Sequence, residues 1–114
     1  MTLRKKERLA DLVKAEVSRT ILFEMKDPRI GFVTVTGVDL SGDLRAAKVK
    51  ISIMGDEKTQ AVTMSVIRRA RGFIQRQLNE KILTKFVPAI SFEVDDSVKK
   101  SIRLSKTLRD VVKE

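Results

Sequence analysis

The chain has 114 residues, 42% of them hydrophobic, which is the size of one domain around one modest core. It contains neither Cys nor His, which excludes disulfides, thiolate nucleophiles, zinc sites of the Cys/His kind and every His-based acid or base. Its 24 Lys and Arg against 15 Asp and Glu give a formal charge of +9, so a polyanion, either nucleic acid or an anionic membrane surface, leads the candidate partners.

From about Thr2 to Glu24 the apolar residues Leu9, Val13, Val17 and Ile21 recur every fourth position and predict a first helix with one stripe facing a core. Arg4, Lys5, Lys6, Arg8 and Lys14 are interleaved with it, a pattern that also fits a transit peptide or a membrane-surface helix. Glu7, Asp11 and Glu16 favour the core-packing reading, because transit peptides avoid acidic residues. No apolar run approaches the roughly 20 residues of a membrane span, and the start of the chain lacks a signal-peptide h-region. A cytoplasmic protein without a membrane partner is therefore expected. The helix must stop before Asp27-Pro28, because a residue preceding proline is pushed out of the helical region.

Phe32 to Val38 alternates strictly and predicts a strand, with Val33 and Val35 on one face and Thr34 and Thr36 on the other. Asp39 to Asp43, with Ser41-Gly42, is a turn. Ala47, Val49, Ile51 and Ile53 then alternate with Lys48, Lys50 and Ser52, completing a hairpin.

From Thr59 to about Thr84 the period is helical. Val62, Val66, Ala70, Ile74, Leu78 and Ile82 advance in steps of four, and each step rotates the stripe by roughly 40°. A straight helix would carry half of them away from the core. A bend at Ala70-Arg71-Gly72 solves this, giving helices over about 59–70 and 73–84; the alternative is one gently curved helix that tolerates Gly72. Pro88 opens a last strand in which Ile90, Phe92 and Val94 face one way and Ser91, Glu93 and Asp95 the other. Asp95-Asp96-Ser97 supplies an N-cap, and Val98, Ile102, Ser105, Leu108 and Val112 predict a C-terminal helical or frayed tail. The domain is expected over 1–97 and the tail over 98–114. Three strands with one apolar face each, covered by helices on that face, make an α+β two-layer domain, in which the last strand can lie parallel to a neighbour.

That order, with paired central helices, resembles a type II KH domain. Within it, Lys26-Asp-Pro-Arg-Ile-Gly-Phe-Val-Thr-Val-Thr36, Ser41-Gly-Asp-Leu44, Ala47-Lys-Val49, Gly72-Phe-Ile74, Leu78, Pro88, Phe92, Asp95 and Ser97 resemble the signature of the ribosome-binding factor A family. The resemblance implies a bacterial assembly factor that acts on the 30S subunit, binds 16S rRNA of the free or immature particle and assists its late processing and folding. It also implies release with an assembly GTPase. The chain is read as a monomer that needs no cofactor and no metal. None of Gly31, Gly37, Gly42, Gly55 and Gly72 forms the GxxG pair of most KH domains; the Ala70-Arg71-Gly72 bend resembles the family's substitute. Lys99-Lys100-Ser101 departs from the family pattern.

Positive charge concentrates on the helices. Arg68, Arg69, Arg71, Arg76, Lys81 and Lys85 form a central group and Arg4, Lys5, Lys6 and Arg8 an N-terminal group, both read as RNA-binding through phosphates. Lys26 and Arg29 join them from the loop, where Asp27 and Pro28 also have a turn-forming role. The outward sheet face, with Thr34, Thr36, Lys48, Lys50, Ser52, Ser91 and Glu93, lacks exposed aromatic pairs for base stacking. With the Phe residues at apolar-face positions or strand starts, readout of splayed bases has little support. Met25, Met54 and Met64 are read as packing residues, and Asp56-Glu57 and Asp95-Asp96 as turn or cap residues rather than paired catalytic carboxylates. The chain is expected to be no enzyme. A general KH-like RNA chaperone or messenger-RNA regulator is the alternative from the same fold, and a small hydrolase the alternative from another class.

Overall fold

The structure, a computed structural model, describes residues 3–95. The elements run α1 (Leu3–Arg19, continued by a π-helical turn over Thr20–Glu24), β1 (Val33–Leu40), β2 (Ala46–Ile53), α2 (Glu57–Arg69), α3 (Arg71–Lys81) and β3 (Ala89–Val94). This is the α-β-β-α-α-β order of the expected α+β, KH-like domain. The predicted cap at Asp96-Ser97, the boundary at 97/98 and the tail lie outside the described residues.

The stripe of α1 forms as its spacing requires: Leu9, Val13, Val17 and Ile21 are all buried. The Met25 N–H donates to the Thr20 carbonyl, five residues back, widening the last turn. Lys26 then takes a left-handed φ of 47°, which ends the helix before Pro28.

Strand β2 is central, antiparallel to β1 and parallel to β3, so the sheet is mixed. A parallel neighbour needs a crossover, and α2 with α3 supplies it. Ala47, Val49, Ile51 and Ile53 are buried along β2, as the alternation predicts. In β1 the simple alternation fails at one place. The register shifts between Val35 and Gly37, leaving Thr36 as the extra residue of a bulge. Each strand residue alternates sides, so one inserted residue switches those that follow; Leu40 thereby turns into the core alongside Val35. In β3, Ile90 and Phe92 are buried, whereas Val94, at the strand end, is exposed.

Asp56 caps α2, its carboxylate accepting the Thr59 N–H at 2.7 Å, so the helix starts two residues earlier than predicted. The break between α2 and α3 falls at Ala70. Its φ of −84° and ψ of 5° depart from helical values, and its N–H is shared between the Val66 and Ile67 carbonyls at 3.1 Å each. Gly72 lies one residue inside α3 with no positive φ, so the break does not use its conformational freedom. The buried residues of α2 are Thr63, Met64, Val66 and Ile67, while Val62 is exposed. The ladder by fours therefore overestimated the drift of the stripe: the chain uses mixed steps of three and four to stay on the sheet. Helix α3 buries Ile74 and Leu78 and ends at Lys81, earlier than predicted, because Ile82 turns extended. Met64 is buried and Met25 half-buried, but Met54 is exposed and packs nothing away.

The edge of β3 is closed by α3. Gln75 accepts the Ile90 N–H through Oε1 at 2.8 Å and donates Nε2 to the Pro88 carbonyl at 3.0 Å. One turn earlier, Arg71 Nε donates to the Ile90 carbonyl at 2.6 Å. Two side chains four residues apart thus satisfy backbone groups that an open edge would offer to another chain.

The glycines give a contrast in sign. A Cβ at Gly72 would meet nothing within 4 Å, so Gly72→Ala is expected to raise stability by roughly 0.5–1 kcal/mol in chemical denaturation. Gly55 has φ +124° and a Cβ there would stand 3.0 Å from Thr59 Cγ2, so Gly55→Ala should lower stability by at least about 1 kcal/mol.

Candidate nucleic-acid interface

The helices cover one sheet face and leave the other open, and the two exposed surfaces differ in electrostatics. On the open sheet face the cations are matched: Lys48 Nζ lies 3.6 Å from Glu93 and Lys50 Nζ 3.0 Å from Asp39. Asp39, with weaker help from Glu93 and Asp95, raises the Lys50 ammonium above its ordinary range. Thr36, bulged outward, donates to Asp95 Oδ2 at 2.6 Å. This face offers a polyanion little net attraction, and among its described strand residues Thr34, Thr36, Lys48, Lys50, Ser52, Ser91 and Glu93 none is aromatic, although Phe32 is exposed just before β1.

The helical side is different. Arg68 and Arg69 are exposed in the last turn of α2, where cations complement the negative end of the helix. Across Ala70, α3 begins with no acid in its first turn and no side-chain cap, so its positive end offsets the negative end of α2 and no first-turn carboxylate opposes the arginines. Arg76 and Lys81 are exposed along α3 and Lys85 in the loop after it. None of Arg68, Arg69, Arg76, Lys81 and Lys85 forms an ion pair with another described residue; the described pairs involve Arg19, Arg29, Lys48 and Lys50.

The break gathers residues distant in sequence. A groove of about 450 Å³ between the 24–29 loop and the helix junction is lined by Met25, Arg29, Arg69 and Phe73, among others. A second, of about 610 Å³, runs along α2 past Met64, Ser65, Arg68 and Arg69 to Val94. Arg69 borders both. The loop is cross-linked by side chains: Asp27 Oδ1 accepts the Arg29 N–H at 2.9 Å, its Oδ2 pairs with the Arg29 guanidinium at 2.7 Å, and Thr63 Oγ1 donates to the Arg29 carbonyl at 3.3 Å. Asp27 thus has the turn-forming role that its sequence position suggested. Lys26 stays exposed at the left-handed position.

Two expected site residues acquire a structural task. Arg29 is neutralised in part by Asp27, and Arg71 is bound to the β3 edge, so the junction displays Arg68 and Arg69 more openly than Arg71. The N-terminal group lies elsewhere. Arg4, Lys5 and Arg8 are exposed and Lys6 half-buried on the first turns of α1, and Lys5 and Arg8 share a pocket with Lys85 and with Arg45. Sequence reasoning missed Arg45 because a turn residue beside a strand carries no periodic signal. Phe92 is buried and Phe73 packs against the core, and Phe32, at the start of β1, is 82% exposed; the reading failed for Phe23 and Phe86, which are 65% and 68% exposed and on no apolar face. Among the described residues no three His, Cys, Asp or Glu side chains come together as a metal site, and no helix is long and apolar enough to cross a membrane.

Comparison with known proteins agrees with this architecture. Residues 5–108 match the family model described as Ribosome-binding factor A. A Ribosome-binding factor A from Halothermothrix orenii is 44% identical over 107 residues, covering 94% of this chain and 88% of the relative. A Thermotoga maritima protein solved by NMR and described as a ribosome binding factor A superposes with a TM-score of 0.68 at 27% identity, over 76% of this chain and 83% of that one. A Thermus thermophilus ribosome binding factor A homology model, fitted into a cryo-EM map of a 30S complex, superposes with a TM-score of 0.58 at 20% identity, over 80% of this chain and 91% of that one.

The Asp27 turn makes a titration prediction. Hydrogen bonds from the Arg29 side chain, then from its backbone N–H, hold the Asp27 carboxyl at about 2, below its ordinary 3.8. A depressed folded value means that its contribution to loop stability is present above about pH 4 and is lost as pH falls through about 2. Carboxyl NMR titration should show that low midpoint, and Arg29→Ala should move it part of the way back, since the backbone donor remains.

Proposed function

The chain belongs to the ribosome-binding factor A family, and from that membership we propose that it binds the free or immature 30S subunit through 16S rRNA and assists its late folding and processing. The observation that carries the proposal is the display of Arg68 and Arg69 at the Ala70 break without an ion pair to any described residue, with Arg69 sharing a groove with Arg29. A family relative has been placed in a 30S complex, and the charge distribution here fits a ribosomal RNA partner. Phosphates are the natural ligands of such a cluster. They give affinity and salt dependence with limited sequence specificity, while the shape of the bend selects where the protein sits.

The action is binding and not catalysis. The sequence has no His or Cys, and within the two acidic pairs weighed as catalytic carboxylates, Asp56 caps a helix and Asp95 accepts from Thr36. Binding one RNA conformation more tightly than another shifts the population toward it, by no more than the difference in affinity. In this reading the protein works as a cytoplasmic monomer. Its release falls to an assembly GTPase acting on the particle, once the RNA has reached its mature arrangement.

Co-sedimentation on sucrose gradients tests the assignment: the protein should travel with free small subunits. Its presence only in ribosome-free fractions would assign it instead to general RNA chaperoning. In the same assay, replacing Arg68 and Arg69 together by Ala should weaken subunit binding and make the log K versus log[salt] slope shallower by roughly 2. Thermal stability should change little, because both side chains are exposed. Arg71 is left intact in this variant, since its loss would also uncover the β3 edge.

A further inference from the structure

Where the start of α1, the β1–β2 turn and the loop between α3 and β3 meet, a pocket of about 440 Å³ opens. Its size is within the roughly 300–1,000 Å³ of small-ligand sites. Leu12, Leu44 and Phe86 contribute apolar lining, and Leu12 and Phe86 are respectively 46% and 68% exposed. Leu44 is held at φ 60°, a conformation that a non-glycine residue rarely adopts and that costs backbone energy. Thr84 Oγ1 donates to the Phe86 carbonyl at 2.9 Å, which fixes the loop on the other side. Lys85 Nζ stands 5.7 Å from the centre of the Phe86 ring.

Cations come from all three segments that build the pocket: Lys5 and Arg8 from α1, Arg45 from the turn, and Lys85 from the loop. The one acid, Asp43, is committed to the turn. It accepts Ser41 Oγ at 2.6 Å and the Arg45 N–H at 3.1 Å, and these bonds hold its carboxyl below the ordinary range. The site therefore joins an exposed aromatic ring and leucines to a strongly positive rim.

We propose that this pocket takes one unstacked base of single-stranded RNA, with the base against Phe86, Leu12 and Leu44 and its neighbouring phosphates on Lys5, Arg8, Arg45 and Lys85. The proposal rests on the RNA-binding reading above and adds to it a preference for unpaired nucleotides. A nucleotide strand repeats one planar ring between anionic linkages, which is the chemistry that a single apolar pocket within a cationic rim matches. An amphipathic peptide helix instead needs a row of anchor sites along a groove. The chain's own last residues are a poor fit by charge, since Lys99, Lys100, Arg103, Lys106, Arg109 and Lys113 outnumber Asp96, Asp110 and Glu114.

The test is equilibrium binding of the full chain to a short unstructured single-stranded RNA and to the same strand annealed to its complement, in which the bases are paired and stacked. The wild type should prefer the single strand. Phe86→Ala should weaken single-strand binding by about tenfold, leave duplex binding unchanged and leave the salt slope unchanged, because no phosphate contact is lost. Arg45→Ala should instead make the single-strand salt slope shallower by about 0.7. Single-strand affinity indifferent to Phe86→Ala, or an equal loss on both RNAs, would overturn the proposal. A peptide of alternating Glu and Leu that alone responds to Phe86→Ala would give the pocket to a protein. A loss of thermal stability in Phe86→Ala with every ligand indifferent would give it to the chain's own terminal residues. If any of these occurs while the protein still co-sediments with small subunits, only the pocket assignment falls.

Discussion

The three strands present two faces of opposite character, and the need to keep one of them dry organises the molecule. Val35, Leu40, Val49, Ile51, Ile90 and Phe92 point to the same side of the sheet and are buried there. Helices α1, α2 and α3 have to lie over that side together, each with its apolar stripe inward. The backbone of β1 yields to the same requirement: the Thr36 bulge turns the strand's second half so that Leu40 joins Val35. So does the crossover, which breaks at Ala70 into two helices that bury Ile67 before the break and Ile74 and Leu78 after it.

Function follows from what that burial leaves outside. Long cationic side chains that cannot enter the core project from the outer surfaces of the helices, and the break puts Arg68 and Arg69 at a corner between two grooves. The open sheet face has Lys and Thr residues as well, but its pairs with Asp39, Glu93 and Asp95 cancel much of their field. A polyanion near this protein meets a neutralised sheet on one side and, on the other, a ridge where Arg68 and Arg69 pair with no described acid. Exposed ion pairs are individually weak, yet in this setting they set which face can attract a polyanion.

Much of this was legible in the sequence, where the physics is local. Alternation marked the hairpin and its buried residues Ala47, Val49, Ile51 and Ile53, Pro28 marked the end of the first helix, and the Ala70-Arg71-Gly72 stretch marked the break. The misreadings share one cause, which is dependence on partners distant along the chain. Thr36 is as strand-compatible as its neighbours, so the bulge has no sequence signature. Arg71 resembles the other exposed arginines until β3 brings the Ile90 carbonyl to it. Val62 fits a ladder by fours, but the packed sheet selects Thr63 and Ile67. Arg45, Lys85 and Lys5 become neighbours only when the turn, the loop and the helix meet.

In the proposed mode of binding, RNA meets the helical break and not the sheet. Because the chain has no Cys, a single introduced thiol can carry an iron chelate that cleaves nearby RNA with hydroxyl radicals. Ser65→Cys places it beside Arg68 and Arg69, and Ser91→Cys places it on the open sheet face; both serines are exposed. Bound to free small subunits, the Ser65→Cys protein should cut 16S rRNA strongly at a few clustered sites, with the Ser91→Cys protein cutting weakly or not at all. Strong, localised cleavage from position 91 and none from position 65 would put the RNA on the open sheet face instead.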